Sequence, residues 1–500
     1  MRSKEKKNVL NDLKEKTNNC LKSRKNANDI IDIISYFQDD DEGTVLQCIR
    51  SVHKLFTHFI DVEELSLKNV VEESGEGKYR VWLRERYKDA VDGLTECLIH
   101  SSTDIQEMSL SVLMKLVVKE SKCPIEMSDD SPTTFPAKLF KRIMETLLSD
   151  TVNNTALLGR FEEYLAYDDV RYYTLRNVFS ACRNTHAQET LQGNLYTVLE
   201  NISLPPKGQD NTLSNFLCSI GDAEKDIRTL QRHRHLYSSA WIHFLKMKLS
   251  ATLYRKVLVI LPDKVMSNMT SPLSLCDFLS QAFNVGGVIS LLASNGLFIL
   301  ITKYNLHYPD FYKKLYSLFE PSIFHVKYKA RFFHLCDLFL SSTHLPAHLV
   351  AAFAKRLARI SLSAPPAGLL VAVPFIYNMI IRHPACKKLI HRPDSDMSFD
   401  TDPYDPEEED PEKCGAMNSC LWELKSLQYH YHPDVFKIAK KMDVGIPDME
   451  IDLAEKFDLT ANDLFEKEVQ KKQKTVAVTF EPPKGLLGGK DDKLNMFWTL

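Results

Sequence analysis

The most constraining feature of this sequence is the spacing of its apolar residues, which is helical from residue 29 onward. Ile30, Ile33, Ile34 and Phe37 fall at positions i, i+3, i+4 and i+7, so they share one face of a helix. No strand-like alternation of apolar and polar residues competes seriously with this pattern. The sequence therefore predicts an all-α protein, with similar helical spacing in residues 45–59, 79–99, 104–119, 136–148, 170–181 and 188–202.

The connections between these helices indicate how the helices are arranged. Glycine is scarce, with 17 in 500 residues, which argues against β-propellers and glycine-looped nucleotide folds. Many amphipathic helices joined by short loops stack in pairs and bury their apolar faces against their neighbours. No exact repeat period is present, so we predict an irregular HEAT-like helical-repeat solenoid. Prolines suit the first turn of a helix, and we expect helix starts near Pro262, Pro272, Pro309, Pro321, Pro346 and Pro366.

The helix expected after Pro346 illustrates the amphipathic pattern. Leu349, Phe353 and Leu357 share one face. The basic residues of the same segment, Lys355 among them, lie away from that face. This separation of apolar and basic residues is typical of an amphipathic helix.

Charge and composition divide the chain into four segments. Residues 1–28 carry nine Lys and Arg against three acids, which predicts a basic flexible tail. Residues 29–222 should form N-terminal helical repeats, and residues 223–442 a second helical domain. Nine acids and three prolines lie between residues 396 and 412, so we expect a poorly ordered acidic loop at 394–415. Residues 443–500 should hold one helix, capped at Thr460, and a flexible tail.

Net charge and cysteine usage narrow the classes of function. A formal charge of −3 produces no protein-wide basic field, so any contact with RNA should be local. The 11 cysteines include no Cys-x-x-Cys pair, which argues against a disulfide framework and a zinc site. The N-terminus also lacks the apolar run of a secretory signal. These features indicate a protein of the cytosol or nucleus.

No motif in the sequence indicates catalysis. Phosphate-binding glycine loops and Gly-x-Ser-x-Gly elbows are missing. The close histidine pairs, His233 with His235 and His430 with His432, are two residues apart, so on a helix they would point to different faces. We therefore predict a protein that is not an enzyme and that needs no metal or cofactor.

One basic strip could contact RNA. Its aromatic neighbours Tyr237, Trp241 and Tyr254 could stack on bases while the cations neutralise phosphates. Amphipathic helices also produce this pattern, in which case the aromatics are buried and the cations are solvated. The cations concerned are Arg228, Arg232, Arg234, Lys246, Lys248, Arg255 and Lys256.

Two apolar runs, residues 285–301 and 367–381, resemble membrane spans in hydropathy. Both are shorter than the ~20 residues that a span needs. We expect buried helices in both places, with a helix–turn–helix break at Asn295-Gly296. A membrane protein is the less favoured alternative.

Several ordered strings resemble the nucleolar complex protein 4 family, including its CBF/Mak-type domain. They include Phe283-Asn-Val-Gly-Gly-Val-Ile-Ser-Leu-Leu292, Phe324-His-Val-Lys-Tyr-Lys-Ala-Arg-Phe-Phe333 and Asp402-Pro-Tyr-Asp-Pro-Glu-Glu-Glu-Asp-Pro411. Ser419-Cys-Leu-Trp-Glu423 and His430-Tyr-His-Pro433 follow in the same order. The resemblance covers roughly residues 232–433, whereas the N-terminal half contains no string that we consider diagnostic.

The resemblance implies a function as well as a fold. It implies a helical, non-catalytic nucleolar assembly factor for the small (40S) ribosomal subunit, acting in pre-rRNA processing, pre-40S maturation and export. It also implies a stable heterodimer with nucleolar protein fourteen, with contacts to the pre-40S particle and mostly indirect contacts to pre-rRNA. The alternatives are an integral nuclear-membrane protein and a transport-receptor-like helical adaptor.

Within the resembling region, we expect two segments to face a partner. The first is the turn that ends at Phe333, and the second is the acidic loop with Trp422, because aromatic and Arg side chains dominate many interfaces. The alternatives are that these aromatics belong to the core and that the loop is only a linker. The candidate partner-binding residues are His325, Tyr328, Arg331, Phe332, Phe333, Asp402, Tyr404, Asp405, Glu407, Glu408 and Trp422.

Overall fold

The structure is a computed structural model that describes residues 2–67, 74–125, 134–183, 188–206, 212–219, 225–391, 401–445 and 449–471. Within these ranges the regular structure is helical, apart from an isolated bridge between Thr212 and Thr229. This confirms the predicted all-α class. The chain divides into two compact units, Met1–His307 and Tyr308–Leu500. The predicted domain boundary at 222/223 falls outside the described residues and stays a prediction.

The first unit is built from two rows of helices. Helices two apart in sequence contact each other, so α1, α3, α5 and α7 form one row while α2, α4, α6 and α8 form the other. Such stacking is the architecture of a helical-repeat solenoid. The helices are α1 (Arg2–Lys22), α2 (Asp29–Ser35), α3 (Glu42–Asp61), α4 (Gly75–Cys97), α5 (Thr103–Lys122), α6 (Ala137–Leu147), α7 (Thr155–Phe161), α8 (Asp168–Ala181), α9 (Glu189–Asn201), α10 (Lys225–Arg228), α11 (Leu230–Leu245), α12 (Ala251–Ile260), α13 (Cys276–Phe283) and α14 (Gly287–Tyr304).

Helix α3 shows how local sequence produces one of these elements. Asp41 caps its N-terminus, because a carboxylate oxygen accepts the Thr44 amide at 3.2 Å. Val45, Ile49 and Val52 lie at helical spacing and are buried. This apolar face packs against α1 and α5.

The N-terminal segment differs from the prediction. Residues 2–22 form α1, which packs against α3, instead of a flexible basic tail. Leu13, Thr17 and Cys20 lie at i, i+4 and i+7 and are buried. Lys14 and Lys22 are exposed, and Lys16 pairs with Asp32 at 3.1 Å. The tail prediction was wrong because a high density of charge concealed one narrow apolar stripe.

Two buried acids at the start of α8 hold residues 215–218 of the connection between α9 and α10. Asp169 accepts the amides of Leu217 at 3.0 Å and Cys218 at 2.8 Å, and Asp168 accepts the Asn215 amide at 2.9 Å. Arg171, which is also buried, pairs with Asp168. These bonds satisfy backbone donors that would otherwise be costly to bury.

The first predicted apolar run forms one continuous helix, α14. The expected break at Asn295-Gly296 is absent there, because Gly296 lies inside the helix and faces Leu279 of α13, where a larger residue would be crowded. Gly286, with a φ of +94°, precedes the helix. By length and composition α14 could cross a membrane, and 44% of it is buried within the protein. Buried helices in the cores of proteins without membrane spans can be equally long and apolar.

The second unit is centred on two long helices that contact each other, α17 and α18. Helix α18 contains the whole of the second apolar run and is almost entirely buried, as predicted. The helices of this unit are α15 (Phe311–Ser317), α16 (Lys329–Phe339), α17 (Ala347–Ser361), α18 (Pro366–Arg382), α19 (Trp422–Ser426), α20 (Pro433–Val444), α21 (Ala454–Phe457) and α22 (Ala461–Gln470). The last begins with the predicted capping box of Thr460 and Asp463.

Aromatic rings fill the space between α16, α17 and α18. Phe332 packs against Phe319 with ring centroids 5.1 Å apart, and Phe333 packs against Phe375 at 5.7 Å. Phe332 and Phe333 are buried, so the prediction that they face a partner was wrong. Adjacent residues on a helix can both be buried when the helix has neighbours on two sides, which its sequence alone does not show.

Close packing at Gly368 leads to a prediction. A Cβ atom at this position would lie 2.6 Å from Cδ1 of the buried Phe324 ring. We expect Gly368→Ala to lower the free energy of unfolding by about 1 kcal/mol or more, because overpacking outweighs the helix propensity gained. Gly193→Ala in α9, where nothing lies within 4 Å, should instead stabilise the protein by about 0.5 kcal/mol. Thermal unfolding of both variants tests this, and a stabilised Gly368→Ala variant would contradict it.

Candidate functional site

A buried lysine organises the candidate site in the second unit. The side chain of Lys355, on α17, is 0% exposed, and its Nζ donates to Glu423 Oε1 at 2.7 Å and to the Cys420 carbonyl at 2.7 Å. The same ammonium lies 2.9 Å from Asp402 Oδ2. A buried cation is tolerated only when it is paired and hydrogen-bonded in this way. Lys355 is thus buried although it lies away from the apolar face of Leu349, Phe353 and Leu357.

Asp402 joins the acidic segment, which we define as residues 402–412, to this cluster. Its carboxylate accepts hydrogen bonds from Trp422 Nε1 at 2.9 Å, from the Tyr404 amide at 3.1 Å and from the Ser419 hydroxyl. Burial alone would raise the pKa of Asp402, but the bonds from Ser419, Lys355 and Trp422 outweigh burial and hold that pKa well below its ordinary value. Asp402 is therefore charged at neutral pH.

Glu423 is the more deeply buried of the two acids. Burial raises the pKa of its carboxyl, while Lys355 opposes that rise. One oxygen, Oε1, accepts from Lys355 and lies 3.8 Å from Arg359 Nη1. The carboxylate thus serves mainly to neutralise cations of α17.

Trp422 closes the outer side of the cluster. The Arg359 guanidinium lies 5.0 Å from the centroid of the Trp422 ring, and Lys355 Nζ lies 5.4 Å from the ring. The residue remains 37% exposed. Trp422 can therefore touch a partner with one side while the other side covers the buried ions.

Tyr404 holds the acidic segment at a second point. Its hydroxyl lies 2.9 Å from the hydroxyl of Tyr316. The Arg356 guanidinium lies over the Tyr316 ring, 4.5 Å from the ring centroid. Arg356 also donates to the carbonyls of Phe319 at 2.9 Å and Pro406 at 3.4 Å. Tyr404 is buried, so it anchors the segment instead of facing a partner as predicted.

The remaining acids of the segment point outward from a hydrogen-bonded backbone. The Asp405 amide donates to the Cys414 carbonyl at 3.0 Å, and the Glu407 amide donates to Asp405 Oδ1 at 2.9 Å. Asp405 and Glu407 are exposed, and Glu408 is half-buried. Residues 401–415 are thus held in place, which corrects the prediction of a poorly ordered loop for this part. Residues 394–400 lie outside the described residues.

The predicted turn near Phe333 retains three surface residues. His325 is exposed, and Tyr328 and Arg331 are half-buried. Arg331 lines a cleft of about 730 Å³ between α16, α18 and residues 450–458. These three residues can face a partner, unlike the two phenylalanines that follow them.

Sequence reasoning missed the residues that hold the acidic segment. They are Lys355, Arg356, Arg359, Ser419 and Glu423. The available signal was the position of Lys355 among three alanines and three bulkier apolar residues in Val350–Leu357. Such a setting favours a buried lysine, but it does not identify the acids that neutralise it.

Three of the seven cations of the basic strip make contacts within the first unit. Arg232 pairs with Asp226 at 3.3 Å, Arg234 donates to the Pro205 carbonyl at 2.8 Å, and Arg228 lies over the Phe216 ring at 5.6 Å. The neighbouring Tyr237 and Trp241 are fully buried, so they are not available to stack on bases. Besides Arg232, four cations of the strip are exposed, and their contact with phosphate stays a prediction. They are Lys246, Lys248, Arg255 and Lys256.

His233, on α11, is buried and neutral. Its Nε2 lies 2.8 Å from the Ile227 carbonyl, so the neutral ring donates from Nε2. Burial lowers the pKa of His233 to about 4, and the Ile227 bond only partly opposes this effect. In the described residues, no three His, Cys, Asp or Glu side chains come together as metal ligands.

A pH dependence follows from His233. Below an unfolded-state pKa of about 6.5 the unfolded chain binds a proton that the folded state rejects, so stability should fall as pH drops from about 6.5 towards 4. Between pH 7.5 and 5 we expect a loss of about 2 kcal/mol from this group. Urea unfolding at both pH values measures the loss. His233→Gln should show a smaller difference and His235→Gln the wild-type difference, and equal differences in all three proteins would contradict the assignment.

The buried ions allow a second prediction. Lys355→Met leaves Glu423 and Asp402 without their cation, and we expect it to lower the free energy of unfolding by about 3 kcal/mol or more. Adding Glu423→Met should restore most of the loss, because it removes the fully buried uncompensated charge, whereas Asp402 is partly exposed and keeps its bonds from Ser419 and Trp422. Lys387→Met, at an exposed position, is the control and should change stability by less than about 0.5 kcal/mol. Urea unfolding measures all three variants, and no rescue in the double variant would contradict the pairing.

Two family models match the chain. The model described as "Nucleolar complex protein 4-like, TPR repeats" matches residues 3–187, and that of the CBF/Mak21 family matches residues 290–439. The first match covers the N-terminal half, where no diagnostic string was recognised in the sequence. TPR repeats, like the expected HEAT-like repeats, are helix pairs that stack on their neighbours.

Similarity to individual relatives extends over nearly the whole chain. The chain is 45% identical over 499 residues to nucleolar complex protein 4 homolog B of Xenopus laevis. The aligned region covers 96% of this chain and 94% of the relative. It is 43% identical over 498 residues to the nucleolar complex protein 4 homologs of Homo sapiens and Mus musculus, covering 96% of each chain. The resemblance found in the sequence is thereby confirmed, and the chain belongs to the nucleolar complex protein 4 family.

Proposed function

We propose that this protein is a non-catalytic nucleolar assembly factor for the small (40S) ribosomal subunit. The names of its relatives support a role in a nucleolar complex. Its stacked helices support a scaffold, because solenoids offer extended surfaces to partners. In this role it acts in pre-rRNA processing, pre-40S maturation and export, and it works in the nucleolus.

We propose nucleolar protein fourteen as its partner in a stable heterodimer, docked in part on the acidic segment. The observation that carries this proposal is the double anchoring of that segment, by Asp402 on Lys355 and by Tyr404 on Tyr316. Anchoring fixes the backbone before a partner arrives, so less conformational entropy is lost on binding.

The chemistry of the surface indicates what the docked segment should contain. Asp405, Glu407 and Glu409 are exposed acids on one short stretch of chain. A basic segment of the partner complements them, because opposite potentials guide encounter and fix register. Trp422 adds a half-exposed aromatic ring beside the acids, a residue type enriched among binding hot spots.

Reversal of charge on the acidic segment tests the proposal. The triple variant Asp405→Lys, Glu407→Lys and Glu408→Lys should weaken capture of nucleolar protein fourteen at least about tenfold, because attraction becomes repulsion. A matched triple reversal at Glu455, Glu466 and Glu468, all exposed in the same unit, should leave capture unchanged. Pull-down from moderate to high salt measures this, with thermal unfolding as the check on folding. Equal capture by both triple variants would exclude the acidic segment as the docking site.

The same purification separates the proposed function from its alternatives. Small-subunit pre-rRNA together with one stoichiometric, salt-resistant protein in the eluate would support the assembly factor. Fractionation with membranes after carbonate washing would favour a membrane protein. Transient binding of cargo, without pre-ribosomal RNA, would favour a transport-receptor-like adaptor.

A further inference from the structure

Three aromatic side chains are exposed near the start of α20. Tyr429 is 87% exposed, Tyr431 is 81% exposed and Phe436 is 39% exposed. We call these three residues the aromatic turn. Single exposed apolar residues are normal on a protein surface, but several large aromatic side chains along one short stretch indicate a binding site.

The backbone of the aromatic turn is held by local hydrogen bonds. The His432 amide donates to His430 Nδ1 at 3.1 Å, and the Asp434 amide donates to His432 Nδ1 at 3.3 Å, which caps α20. Below the turn Gln428 is buried and donates to the Ala439 carbonyl at 3.3 Å. The Tyr431 ring stacks on the His430 ring with centroids 4.4 Å apart. The exposed rings therefore stand on a preorganised support.

Positive charge accompanies these rings. Residues 425–443 contain four lysines, at 425, 437, 440 and 441, against two aspartates, at 434 and 443, for a net charge of +2 with neutral histidines. The whole chain, by contrast, carries −3. Lys440 Nζ lies 5.2 Å from the centroid of the Phe436 ring, so cation and ring share one surface.

We infer that the aromatic turn, with Lys437, Lys440 and Lys441, binds single-stranded RNA. The rings of Tyr429 and Tyr431 offer stacking platforms to unpaired bases, and the lysines offer partners to the phosphates. Bases within a duplex are already stacked on each other, so the site selects single strands. The basic strip of the first unit lacks such exposed rings at Tyr237 and Trp241, because both side chains are buried.

The surroundings of the rings favour RNA over a protein partner. Protein hot spots sit in well-packed pockets that become fully desolvated, and lysine is depleted at their centres. Tyr429 and Tyr431 instead protrude into solvent, and the exposed lysines 437, 440 and 441 follow them on α20. This inference goes beyond the proposed function, in which a protein partner docks on the acidic segment.

Binding of a labelled oligonucleotide tests the inference. The probe is a fluorescein-labelled oligouridylate of about 15 nucleotides, a length suited to one such site, added to the purified full chain at about 0.1 M salt. Fluorescence anisotropy should show that Tyr429→Ala with Tyr431→Ala weakens binding at least about fivefold. Tyr429→Phe with Tyr431→Phe should bind like the wild type, because the stacking rings are retained. Phe465→Ala, at a 68% exposed position on α22, is the control and should have no effect.

Salt dependence and strandedness provide independent readouts. Lys437→Gln with Lys440→Gln should weaken binding and lower the slope of log affinity against log salt by about 1, because fewer phosphates are neutralised. A duplex RNA of equal length should bind more weakly than the single strand.

Four outcomes would overturn the inference. They are failure of the wild-type chain to bind the oligouridylate, unchanged affinity in the double alanine variant, equal binding of duplex RNA, and loss of capture of nucleolar protein fourteen with unchanged RNA binding. The last outcome would assign the aromatic turn to protein docking. Because the triple reversal at the acidic segment tests partner capture separately, either proposal can fail without the other.

Discussion

The ammonium of Lys355 is the constraint on which the arrangement of the second unit depends. A cation on the buried side of α17 is stable only with acids and carbonyls around it, and these come from segments distant in sequence, Asp402 and the Cys420–Glu423 stretch. The cluster therefore joins the acidic segment and α19 to the central helices. A single buried charge thus determines where a strongly acidic part of the chain lies and which of its residues remain exposed.

The same unit carries two surfaces of opposite character. The acidic segment exposes carboxylates on an anchored backbone, while the aromatic turn exposes tyrosine rings and is followed on α20 by exposed lysines. Opposite charges suit different partners, a basic protein segment in one case and an RNA backbone in the other. An assembly factor that binds both would link a protein to RNA through one compact unit.

Prediction from sequence succeeded where one regular pattern decided the outcome. Helical spacing identified α3, the apolar run 367–381 identified α18, and the Thr460 capping box identified the start of α22. It failed where the partner of a residue lies far away in the chain. Phe332, Phe333 and Tyr404 were expected at the surface because aromatics favour interfaces, yet each fills space made by other helices. Asp402 and Glu407 are equally acidic in the sequence, but only Asp402 reaches a buried cation.

The sequence by itself determined that the chain folds into stacked amphipathic helices. Apolar residues that recur about every 3.6 positions form a helix face that must be buried, and this pattern can be read from each segment separately. It also determined the family, through ordered strings that later comparison confirmed. Only the tertiary structure decided which polar and aromatic residues are available to partners. Exposure depends on neighbours brought from distant parts of the chain, so Lys355 became buried while Tyr429 and Tyr431 remained in solvent.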